Sequence, residues 1–148
     1  MLSGVSMGAS TVLMASELDL PPQVKGISAD CGYSSPESII RKVCRDMGIT
    51  DKIGYPVIRI AARLFGGFSM KDGGAVEAVK HAKVPILIIH GEEDDFVPFS
   101  MAKEIYDACA SEKYYLAVKG AGHGLSFFCD FDAYLAAEKE FQARIYRD

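Results

Sequence analysis

Within the first ten residues, Gly4-Val5-Ser6-Met7-Gly8 forms a G-x-S-x-G pentapeptide. Such a pentapeptide sets a serine on a sharp turn between a strand and a helix, where its hydroxyl stands clear of the backbone. The expectation for Gly4 and Gly8 is steric: larger side chains there would collide with the neighbouring strand and helix. A hydroxyl becomes a useful nucleophile toward a carbonyl only when a base removes its proton. The chain holds three histidines from which that base can come. His123 lies in Gly120-Ala121-Gly122-His123-Gly124, directly after the apolar run "KYYLAV", and Gly122 and Gly124 leave this loop free to turn the ring toward a serine. His90 closes the run "ILIIH" and reads as a hydrogen-bonded structural residue, while His81 in "VKHAK" reads as solvated.

A histidine base needs an acid to hold its tautomer and stabilise its cation. The loop "HGEEDDFVP" supplies Glu92, Glu93, Asp94 and Asp95, and Asp30 in "SADCGY" is a rival at the end of an earlier apolar run. Charge alone does not separate them. Cys31, Cys44, Cys109 and Cys129 show neither C-x-x-C nor a Cys/His ligand spacing, so they read as reduced, mostly buried thiols, and no metal or other cofactor is expected.

The elements that must position these groups follow from periodicity. Short runs rich in β-branched residues alternate with helical patterns, the signature of βαβ units and a mostly parallel sheet flanked by helices. Met1 to Ser3 reads as the end of a strand and Met7 to about Ser16 as a helix, followed by a strand over Val24 to Ala29. Ser35 reads as an N-cap with Pro36 at the first helical position of a helix to about Asp46. A second helix is expected over Pro56 to Phe65, closed by Gly66 and Gly67, and a third from about Gly74 to Lys83. The apolar "VPILIIHG" fits a strand covered on both faces, and a helix over Phe99 to Ala110, the strand "KYYLAV" and a helix over Asp132 to Tyr146 complete the order. The helices between about residues 35 and 73 exceed simple alternation and read as an insertion after the second strand.

"GVSMGAS", "HGEEDDFVP" and "GAGHG" resemble the three catalytic motifs of the α/β-hydrolase superfamily, and "ADCGYSSPESII" resembles its prolyl-oligopeptidase-like and Bem46-like branch. The resemblance implies a serine hydrolase with Ser6 as nucleophile, His123 as base, Asp94 rather than Asp30 as the acid, and the backbone N–H of Met7 as an oxyanion donor. It spans the whole chain of 148 residues but only the C-terminal part of the family fold, from the end of the fifth strand onward. The N-terminal strands, and the loop that donates the other oxyanion N–H, fall outside it. The expected activity is carboxylesterase-like, through an acyl-enzyme, on a small ester. The alternative is a truncated hydrolase fold kept as an oligomeric binding module, or a fragment of a longer enzyme.

Bulk properties narrow the partners. The length fits one domain, here a single partial one over residues 1–148. A formal charge of -4 argues against nucleic acid. No apolar run is long enough for a membrane span, and the expected location is the cytoplasm. A strand at Met1 to Ser3 would leave a sheet edge open, so a homodimer or a further N-terminal segment is expected to cover it.

Overall fold

The computed structural model describes residues 1–70 and 73–147, so the end of the expected insertion, at residues 71 and 72, lies outside the described residues. Four parallel strands, β1 (Leu2–Val5), β2 (Ile27–Asp30), β3 (Ile86–Gly91) and β4 (Lys113–Val118), pair in the order β1-β2-β3-β4. Every residue of β2 and β3 is buried, because helices cover both faces of the sheet. Alternate residues of β3 serve different cores. Ile86 and Ile88 pack with Ala9 and Leu13 of α1 (Met7–Met14), Ala75 and Val79 of α4 (Ala75–Val79), and Ala102 and Ile105 of α5 (Phe99–Ala108). Leu87 and Ile89 face the other way, toward Phe141 of α7 (Phe131–Ile145).

Parallel strands bring all their carboxyl ends to one edge of the sheet, and ligand sites form outside such ends. The loops leaving β1, β2, β3 and β4 carry Ser6, Cys31, Asp94 and His123 respectively, so residues 117 positions apart meet through topology alone.

Between β2 and α4 lie α2 (Pro36–Asp46), α3 (Asp51–Ala61) and a π-helical turn over Ala62–Gly66 that ends at Gly67 with φ 70°. Helix α2 starts as its sequence implies: the Ser35 side chain accepts from the Ser38 N–H, and Pro36 follows it. Tyr55, fully enclosed, ties α3 to α2 by donating its hydroxyl to Glu37 at 3.0 Å.

Several boundaries differ from the expected ones. Helix α3 begins five residues before Pro56, because the Thr50 carbonyl accepts from both Ile53 and Gly54 and closes the first turn ahead of the proline. The N–H that Pro56 lacks would have met the carbonyl of Lys52, an exposed residue whose carbonyl water can serve. Strand β1 runs on to Val5, where the Ser6 N–H donates to the Asp30 carbonyl and continues the ladder into the turn. Strand β2 starts late because Val24 is taken up in a turn with Pro21. Helix α4 ends at Val79, its last N–H groups tightening to carbonyls three residues back, and a one-turn helix α6 (Ser126–Cys129) was not expected. All four cysteines are unpaired, and Cys31, Cys44 and Cys109 are buried.

Candidate active site

The turn at Ser6 is tight enough to place a side chain in the left-handed region: Ser6 has φ 55° and ψ -118°. Gly4 permits it, since a Cβ there would lie 2.3 Å from the backbone carbon of Gly8. The expectation for Gly8 fails, because a Cβ at that position meets open space among the described residues. Ser10, fully buried one turn into α1, accepts from the Tyr33 N–H at 2.8 Å and binds the loop after β2 to this turn.

From Ser6 a line of hydrogen bonds runs inward. Ser6 Oγ lies 2.8 Å from His123 Nε2, and His123 Nδ1 lies 2.8 Å from Asp94 Oδ2. A carboxylate only accepts, so Nδ1 carries the imidazole proton, Nε2 presents its lone pair, and the Ser6 hydroxyl donates to it. Of the four clustered acids, Glu92, Glu93 and Asp95 are exposed and Asp94 alone turns inward, 5% exposed. Its other oxygen accepts from the N–H groups of Phe96 and Val97 at 2.9 and 2.8 Å, which fixes the carboxyl plane. The side chain of Lys42 in α2 reaches the Asp95 carbonyl and holds the same loop from outside.

The two loops that carry Asp94 and His123 are joined at Gly91. Glu92 N–H donates to the Val118 carbonyl and Glu93 N–H to the Ala121 carbonyl, both at 3.0 Å. A Cβ on Gly91 would sit 2.2 Å from the Ala121 oxygen, so only glycine allows this approach. Sequence reasoning missed Gly91, because its requirement comes from a loop about thirty residues away.

His90 is the structural residue expected. Burial holds its pKa below the ordinary imidazole value, and as a neutral ring it donates from Nε2 to the Val97 carbonyl at 2.8 Å. His81 is exposed, as expected. Cys31, fully buried with φ 50°, offers a sulfur within 4.8 Å of ligand atoms of Asp94 and His123. Burial pushes its thiol up to about 12, so it packs beneath the pair as an uncharged group.

The rival acid is engaged elsewhere. Asp30 is 3% exposed and accepts from Ser126 Oγ at 3.0 Å, tying the His123 loop to β2. Burial pushes its carboxyl up to about 6 from 3.8, against the hydrogen bond from Ser126, which pulls it down. As pH rises from about 4 to about 6 the unfolded chain loses this proton while the folded chain keeps it, so this group's contribution to stability falls. The expected result is that Asp30→Asn is more stable than the parent by about 2 to 3 kcal/mol at pH 8, with the difference shrinking toward zero near pH 4. Urea unfolding at the two pH values checks it.

Met7 occupies the first position of α1, where its N–H has no intrahelical acceptor and points with the positive end of the helix toward the turn. Beside it a cleft of about 830 Å³ opens between α1 and the helices after β2, with Met7, Tyr33, Ile40, Arg63, Phe68 and Met70 on its walls.

This architecture is that of the α/β-hydrolases. The acetyl xylan esterase 1 structure from Thermoanaerobacterium superposes with a TM-score of 0.65 at 19% identity, over 98% of this chain and 45% of that one. The acylaminoacyl peptidase of Pyrococcus horikoshii superposes with a TM-score of 0.63 at 18% identity, over 98% and 23%. The chain belongs to the serine hydrolase (FSH1) family, whose model matches residues 12–125, a stretch that holds Asp94 and His123 and begins just after Ser6. Among curated relatives, the Bacillus subtilis protein YqkD is 21% identical over 141 residues, which are 95% of this chain and 46% of that protein. The chain thus spans about half the length of that relative. No helix among the described residues is long and apolar enough to cross a membrane.

Proposed function

We propose that this chain carries the nucleophile, base and acid of a carboxylesterase that works through an acyl-enzyme. His123 Nε2 takes the Ser6 proton as Oγ bonds to the ester carbon, and the Met7 N–H receives the developing oxyanion. The ester C–O bond then breaks as His123 returns the proton to the leaving alkoxide. Water, deprotonated by His123, attacks the acyl carbon, and Ser6 leaves with its proton restored. Asp94 keeps the ring in the required tautomer and stabilises its cation. The observation that carries the reading is the unbroken line from Ser6 Oγ through His123 to Asp94, each link 2.8 Å. The mostly apolar cleft beside Met7 suits a small or medium acyl group. The unpaired cysteines favour a reducing compartment such as the cytoplasm.

A second reading, a hydrolase fold that acts as part of an assembly, is favoured by the edge of β1, which among the described residues pairs with β2 alone and where Val5 is 53% exposed. A second copy or further chain would pair with that edge and supply the other oxyanion donor. Intact-mass labelling with a fluorophosphonate separates the two readings. One stoichiometric adduct on Ser6 supports the esterase, and absence of an adduct on folded protein supports the assembly.

A further expected result concerns the approach of the two loops. Gly91→Ala should separate Asp94 from His123 by roughly 1 Å and lower kcat about a hundredfold. It should destabilise the fold by about 1 to 3 kcal/mol. Kinetics on a nitrophenyl ester and thermal unfolding measure the two effects.

A further inference from the structure

Helix α3 and its π-helical turn direct an apolar ridge outward. Ile53, Val57, Ile60 and Leu64 recur at helical spacing and are 55 to 73% exposed, while the opposite side buries Tyr55. Phe65 at the end of the turn is 90% exposed, and Phe68 follows it. Six exposed aliphatic and aromatic groups on the helix and its turn, counting Ile58, with Phe68 just beyond them, exceed the scattered apolar surface of an ordinary monomer.

Beside the ridge runs a rail of cations, Lys52, Arg59 and Arg63, none of them in an ion pair among the described residues. The single acid of the helix, Asp51, is held by Arg45 at 2.9 Å. A locally positive, apolar ridge on a chain of net charge -4 marks this helix off from the rest of the surface.

We infer that α3 and its turn dock the protein onto an anionic lipid bilayer, with the ridge sunk among the acyl chains and the cations at the headgroups. An outward apolar stripe flanked by Lys and Arg is the pattern of a helix that lies in the interface plane. A second copy fits less well. A twofold contact sets a surface against itself, and would bring these cations together while the one acid of the helix, Asp51, is already paired with Arg45. An anionic headgroup layer supplies that charge. The docked face also continues into the cleft beside Met7, because Arg63 and Phe68 belong to both. The inference stands independently of the reading of Ser6.

Co-sedimentation of the full chain with phosphatidylcholine vesicles, with and without phosphatidylglycerol, tests it. Binding should be about a hundredfold stronger with phosphatidylglycerol and should weaken as salt is raised. The double variant Ile60→Gln/Leu64→Gln changes only exposed positions and should lose at least about tenfold in binding. Lys52→Gln/Arg63→Gln should lose the preference for phosphatidylglycerol, with circular dichroism and light scattering run on each protein. A chain that stays in the supernatant with anionic vesicles overturns the inference, as does a Gln variant that pellets like the parent. A dimer that dissociates in Ile60→Gln/Leu64→Gln would assign the ridge to a second copy instead.

Discussion

With Ser6 replaced by alanine, turnover of a nitrophenyl ester is expected to fall by about 10⁴ to 10⁶-fold, and the fluorophosphonate adduct to disappear. The size of the loss follows from what the hydroxyl does at this turn. It lies 2.8 Å from the His123 lone pair, and no other hydroxyl among the described residues shares that contact. Alanine at φ 55° is strained as serine is, and the backbone link from residue 6 to the Asp30 carbonyl does not depend on the side chain. The thermal midpoint should therefore stay close to that of the parent, which separates a chemical effect from a folding one. Activity retained in a folded Ser6→Ala protein would mean that His123 activates water directly, and the acyl-enzyme would have to be abandoned.

The groups that meet at the strand ends were legible because their signals are local. Glycines surround Ser6 and His123, and each lies directly after an apolar run, so type, spacing and element order agreed within short windows. Strand β3 and the cap of α2 were legible for the same reason. The start of α3 was not, because proline usually opens a helix, whereas here the Thr50 carbonyl closes the first turn upstream. Gly91 was invisible because the atom that forbids a side chain there, the Ala121 oxygen, belongs to another loop. Asp30 illustrates the same limit. Its charge and its place at a strand end made it a rival to Asp94, and only the hydrogen bond from Ser126 of α6 shows it held elsewhere. Gly8 is the converse: a local rule asked for glycine, and the described neighbours leave that space open.

The choice between clustered acids yields the other large effect, since Asp94→Asn is expected to lower kcat by about 10⁴-fold while Asp95→Asn stays within about twofold. In Asp94→Asn the new amide would keep its oxygen on the Phe96 and Val97 N–H groups, because those bonds hold the loop and need an acceptor. The amide N–H groups would then face His123 Nδ1. A donor cannot meet a donor, so the ring would shift its proton to Nε2 and present an N–H to Ser6 in place of a lone pair. The base is lost although every heavy atom stays in place. Asp95 differs because its carboxyl is exposed, and what the loop uses is its backbone carbonyl, which accepts from Lys42 and survives the change to asparagine. Parallel kinetics on the two variants, with thermal unfolding to show that both fold, decide the matter. Equal losses would assign the effect to the negative charge of the loop as a whole, and an active Asp94→Asn would remove Asp94 from the role of orienting His123.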